Sequence, residues 1–214
     1  MPATTPTAIC NMALREVGAE RISDFTSDAS KEARVARDIY HPTRRWVLAQ
    51  CGWNGAKKSA QLTRMEDTTP IFWDAAFEAP TDLIRVLSVH PSDGLEAVCP
   101  YELAYQAGSG DDEANVYAVL ANTTALYIRY IFDQTDLGAL SDGFHHALTF
   151  RLARAFATAL PRTEALKKLT DDEWRKVLTQ AKAIDGQEDY PEKMALGSWA
   201  QSRFGRYGDW RYGS

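Results

Sequence analysis

The chain has 214 residues, 45% of them hydrophobic and 25% charged, and a formal net charge of −5 from 24 basic and 29 acidic side chains. That length holds one large domain or two small ones, and the composition is that of a soluble globular protein. The acidic balance argues against a non-specific nucleic-acid binder, which draws its affinity from a basic surface that releases counterions.

The N-terminal stretch Met1–Thr7 lacks the charged and apolar regions of a secretory leader. No apolar run approaches the roughly 18 residues of a membrane span, so no membrane partner is expected. Ala8, Ile9, Met12, Ala13 and Val17 form an apolar stripe at helical spacing, with Thr7 as its N-cap and Gly18 as its terminator. Asp24–Asp28 reads as a turn. A longer helix then starts near Asp28 or Ser30 and carries Ala33, Ala36, Tyr40, Arg44, Val47, Leu48 and Cys51 on its apolar period. Pro42 is expected to kink or split it, and Gly52 to stop it.

After Trp53 the pattern shortens. Residues 57–63 and 82–89 alternate in part, and 115–120 and 124–132 are apolar runs rich in aromatic and β-branched residues. The last two, joined through Ala121-Asn-Thr123, read as a β-hairpin. Residues 57–133 are therefore expected to be a small antiparallel β domain inserted into a helical protein. Helix returns at Ser141, with Phe144, Ala147, Leu148, Leu152, Ala155, Phe156 and Ala159 on one face, and ends at Pro161. Thr170–Glu173 has the form of a capping box. The next helix starts either there or at Glu164, and Gly186 is its terminator.

The expected class is α+β: an antiparallel helical bundle (1–56 and 134–188), the inserted β domain (57–133) and an extended C-terminal docking arm (189–214). The arm interleaves Trp199, Phe204, Tyr207, Trp210 and Tyr212 with Arg203, Arg206 and Arg211. It has no sustained period, yet exposed rings forgo about 1.5–3 kcal/mol of burial each. Tyr, Trp and Arg dominate interface hot spots. These eight residues are therefore the expected interface with a portal or a neighbouring subunit. Tyr40–Asn54 and Phe72–Val86 are likewise dense in Trp, Phe and Arg and read as packing and docking segments.

No motif for catalysis competes with this. A P-loop is excluded, because Gly108-Ser-Gly110 lacks a following Lys-Ser/Thr, and there is no Gly-x-Ser-x-Gly elbow. His145 and His146 are adjacent on a helix and point about 100° apart, which suits a polar face better than one shared metal ion. His41 and His90, each before a proline, read as turn or kink residues. Cys10, Cys51 and Cys99 lack ligand spacing and are expected as free, buried thiols. Asp111-Asp-Glu113 lacks the alternation of an EF-hand loop. Asp171-Asp172 suits a helix N-terminus. Glu66, Asp67, Asp82 and Glu102 would serve a glycosidase only if a pair lay about 5–10 Å apart. Arg44-Arg45 beside Trp46 suggests a nucleic-acid patch less than it suggests a solvated or ion-paired helix face. No cofactor and no metal is expected.

Several motifs carry a family resemblance. Ala8-Ile-Cys-Asn-Met-Ala-Leu14 precedes Gly18 and Ile22. Ala33, Ala36, Tyr40 and Arg44 precede Val47-Leu48, Trp53-Asn54, Ala56 and Leu62. Phe77, Pro80, Asp82, Arg85 and Val86 follow, then the helix from Ser141 and a Lys/Ala-rich helix. Over roughly residues 7–187 this order resembles the head–tail adaptors of short-tailed bacteriophages, the group of tail tubular protein A, or gatekeeper, proteins. The resemblance implies a structural protein rather than an enzyme. It would form a homo-oligomeric, dodecameric ring beneath the portal protein, lengthen the channel for double-stranded DNA without sequence-specific binding, and seat the tail nozzle. Such a protein is made in the host bacterial cytoplasm and resides in the virion at the head–tail interface. The alternatives are a tail-associated polysaccharide hydrolase and another virion component, such as a head-completion or nozzle protein.

Overall fold

A computed structural model describes residues 5–66, 70–91, 99–107, 115–160 and 164–187. The chain is α+β. Among the described residues, helices α1 (Pro6–Glu16) and α2 (Lys31–Gln50) are followed by six strands, then by helices α3 (Asp142–Ala159) and α4 (Glu164–Gln187).

Each helix begins and ends for local reasons. Thr5, not Thr7, caps α1 by accepting the Ala8 N–H. Thr7 sits inside the first turn, and its hydroxyl accepts the Phe25 N–H at 3.1 Å, tying the following turn back to the helix. The buried face of α1 is Ile9, Cys10, Ala13 and Leu14, so Ala8 and Met12 lie at its margin. Gly18 ends the helix with φ +64°, a conformation that glycine adopts without strain. Ser30 caps α2. The helix runs unbroken through Pro42, contrary to a split there. Pro42 and Asp38, whose carbonyl loses its partner, are both exposed, so water can satisfy that carbonyl. His41 is accordingly a helical residue, edge-on to Phe25 and Tyr40, and not a turn.

Ser141 caps α3. Its buried face includes His145, Ala153 and Ala157, whereas Ala159 is exposed. The fourth helix starts at Glu164, which places Thr170 in its interior and buried rather than in a capping box. Asp171 is likewise not at a helix N-terminus; it bridges Arg154 and Arg175. Gly186 lies within the last turn of α4.

The strands are β1 (Lys57–Leu62), β2 (Ala75–Glu78), β3 (Leu83–His90), β4 (Glu102–Ala107), β5 (Asn115–Ala121) and β6 (Leu126–Phe132). They form two antiparallel three-stranded sheets, in the orders β1-β6-β3 and β2-β5-β4. The expected β5–β6 hairpin does not occur. Each of those strands is the centre of a different sheet and already has a neighbour on both sides, so the link between them crosses from one sheet to the other.

The two sheets share a core. Leu62, Val86, Val89, Leu126, Ile128 and Tyr130 of the first meet Ala75, Phe77, Val119 and Ala121 of the second. At one end the first sheet also backs onto the helices, where Ile131, Ile84 and Leu87 join the core of Leu14, Tyr40, Leu48, Trp53, Phe144, Leu148 and Phe156. Within the helices, α3 packs against α1, α2 and α4.

The junction between helices and sheets is tight. Trp53 is buried, donates its indole N–H to the Val47 carbonyl at 2.9 Å and meets Phe144 edge-on. Two short 3-10 turns, Asn54–Ala56 and Leu137–Ala139, abut there. A Cβ on Gly55 would fall 1.9 Å from the Ala139 carbonyl oxygen, so only glycine permits this approach. His145 is buried beside the second turn and hydrogen-bonds the Leu137 carbonyl through Nε2 at 2.8 Å. It therefore belongs to the core rather than to a polar face, while His146 is exposed.

Candidate interaction surfaces

Most of the large residues in the two aromatic segments are structural. Tyr40, Trp53 and Phe77 are buried. Arg44 is buried as well, and donates to the Gln134 carbonyl at 2.7 Å and to Asp133 Oδ1 at 2.5 Å. Arg45 pairs with the other Asp133 oxygen. The double arginine is thus an ion-paired brace between α2 and the end of β6. Arg85 adds a second brace by donating to the Ala49 carbonyl at 3.1 Å.

Two groups of large side chains remain open to solvent. The first lies where α2, α3 and α4 meet. Trp46 is 41% exposed and tilts against the buried Trp174 at 5.5 Å between ring centroids. The guanidinium of Arg151 lies 4.4 Å from the centre of the Trp46 ring, a cation–π arrangement. Beside it Arg154 pairs with Asp171 at 2.6 Å, and Arg175 with the same carboxylate at 3.0 Å. Two guanidinium groups thus share one carboxylate, with a third, that of Arg151, on the neighbouring ring. Burial first, and then the charge of Arg154, lower the Arg151 pKa from its ordinary value. The result is an aromatic surface with excess positive charge.

The second group lies on the sheets. Two described stretches between β1 and β2, residues 63–66 and 70–74, bring side chains onto the outer face of the second sheet. There Met65 and Trp73 pack on Ala76, Ala118 and Leu120, and the Trp73 indole donates to Glu102 at 2.8 Å. That pinning leaves Ile71 and Phe72 projecting, 91% and 86% exposed. Exposed Glu66 and Asp74 flank them in the chain. On β4 and β5, Tyr105 and Tyr117 face each other across the ladder with centroids 5.0 Å apart, and Tyr105 is 69% exposed.

Each group lies partly in a segment read from the sequence as packing and docking, Trp46 in Tyr40–Asn54 and Phe72 and Trp73 in Phe72–Val86, but the residues that complete them were not singled out. Arg151, Arg154 and Trp174 sit on helices whose sequence pattern shows an apolar face but not which helices meet. The signal available for the tip was Ile71-Phe72-Trp73, three large apolar residues in succession after Pro70, in a stretch without strand alternation. The eight aromatic and arginine residues from Trp199 to Tyr212 lie outside the described residues, as do Gly108–Gly110, Asp111–Glu113 and Asp67.

Of the remaining chemical candidates Glu66 is exposed, and several others are tied into the framework. Asp82 accepts from Lys58 at 2.7 Å and from the Tyr130 hydroxyl at 3.1 Å. Burial, reinforced by Asp82, pushes the Tyr130 hydroxyl up to about 12. Glu102 holds Trp73. His90 is buried at the end of β3, with Nε2 2.9 Å from the Ser88 hydroxyl. Cys10 is buried, whereas Cys51 and Cys99 are only half-buried. No helix among the described residues is long and apolar enough to cross a membrane. No family model matches the chain, and no curated protein matches it significantly.

Proposed function

We propose that this chain is a head-to-tail adaptor of a short-tailed bacteriophage virion. Copies of it form a ring, dodecameric by the family resemblance, that sits under the portal, extends the DNA channel and receives the tail nozzle. One observation carries this reading: the molecule exposes two unlike sticky surfaces on separate elements, the Trp46–Arg151 surface of the helices and the Ile71–Phe72 tip beside the second sheet. A closed ring repeats one heterologous contact, so each copy must present two different faces. A net charge of −5 suits a conduit, because an acidic wall repels phosphates and lets DNA slide. Two of the four carboxylates on which a polysaccharide hydrolase would draw are engaged in the framework, Asp82 by Lys58 and Tyr130 and Glu102 by Trp73. The segment 189–214 is assigned to docking on the portal or on a neighbour, on the strength of its aromatic and arginine content.

Electron microscopy of the full-length protein mixed with the portal of the same virion tests the proposal. A ring seated coaxially on the portal is the expected image. Bare portals beside a dispersed protein that degrades host polysaccharide would refute it.

A further inference from the structure

We propose that the two exposed surfaces are each other's partners: the Ile71–Phe72 tip of one copy docks on the Trp46–Arg151 surface of the next. This inference rests on the ring reading and names the contact that would close the ring.

The argument is complementarity of shape type and of charge. The tip offers two adjacent apolar side chains at nearly full exposure, flanked in sequence by the exposed carboxylates of Glu66 and Asp74. The helical surface offers a partly open indole, with Arg151 over its ring and Arg154 and Arg175 sharing Asp171 nearby. An acid-flanked apolar tip is matched by an exposed aromatic surface with guanidinium groups beside it, and the Trp46–Arg151 surface has that character. Opposite charge at the rim aids encounter and fixes register, while buried aromatic and arginine anchors supply most of the affinity. The tip and the surface stand on different elements, β2's approach and the α2–α3–α4 junction. Neither is self-complementary, because one is acidic and the other basic. A contact of this kind is head-to-tail and propagates from copy to copy instead of stopping at a dimer.

Sedimentation velocity over a concentration series tests the contact, using full-length protein. The samples are wild type, Phe72→Asp, Arg151→Glu and an equimolar mixture of the two variants. Wild type is expected to self-associate. Each variant alone should remain monomeric to concentrations about tenfold or more above the wild-type transition. The mixture should form one-to-one dimers that grow no further, because the Phe72→Asp copy keeps an intact helical surface and the Arg151→Glu copy an intact tip. Phe72 is 86% exposed, so its substitution leaves the fold undisturbed. If Arg151→Glu does not fold, Asp74→Lys at an exposed position tests the charge term from the other side, with weakened association expected. Variants that associate like wild type overturn this contact and leave the ring reading standing. The same holds for a wild type that stays monomeric in solution but forms rings on portals. A wild type that does neither overturns both.

Discussion

Asp133 ties the second helix to the end of the first sheet. It accepts from both Arg44 and Arg45, and Arg44 is buried. Removing the carboxylate strands a guanidinium in a low-dielectric site, which costs far more than the pair itself contributes. Asp133→Ala should therefore lose about 3–5 kcal/mol in urea unfolding, and Arg44→Met in the same chain should recover much of it. This brace was half legible in the sequence. Arg44-Arg45 reads as a solvated or ion-paired face, but the partner lies 89 residues from Arg44, and no local pattern points to it. Cys10 gives a second test at this scale. Burial pushes its thiol from 9.0 up to about 12, and Tyr40 rises from 10.0 to about 12 for the same first reason. The folded chain thus keeps protons that the unfolded chain has released. Stability contributed by Cys10 is complete below pH 9 and declines as pH rises towards 12. Cys10→Ala should flatten that decline when unfolding is measured at pH 8 and again at pH 11. An unchanged slope would mean that the thiol is not held protonated by the core.

Among the elements, the helices follow their sequence signals closely because their causes are local. Ser30, Gly18 and Ser141 act through their own backbone or hydroxyl within a few residues. The misreadings are equally physical. Thr170-Asp-Asp-Glu173 satisfies a capping pattern, yet burial of Trp174 and Ala181 together with the Asp171–Arg154 pair keeps the segment inside α4. Strand partners were not legible at all. The β5 and β6 runs are adjacent in sequence and hairpin-like, but pairing is decided by which face each strand buries and by neighbours as distant as Lys57 and Ala75. The junction of helices and sheets supplies a prediction of its own. Gly55→Ala forces a methyl group onto the Ala139 backbone, where no flexible side chain can yield. A loss of about 1–3 kcal/mol or more is expected, read as a lower thermal midpoint. A neutral effect would mean that the two 3-10 turns separate freely.

At the level of the whole molecule, the exposed surfaces explain why aromatic content exceeds what the cores consume. Tyr40, Trp53 and Phe77 are buried, while Trp46, Ile71, Phe72 and Tyr105 are held outward by specific neighbours. The segment from Trp199 to Tyr212 extends the same composition to the C-terminus. A chain ending at Gln187 is expected to melt cooperatively yet fail to decorate portals. Normal decoration by that shortened protein would remove the arm from the account. The central claim, a ring on the portal, is tested most directly by the mass of the portal complex. Native mass spectrometry of portal alone and of portal saturated with this protein should differ by one fixed multiple of 23.9 kDa, corresponding to a closed ring. No increment, or a ladder of variable increments with no preferred closure, would contradict the account.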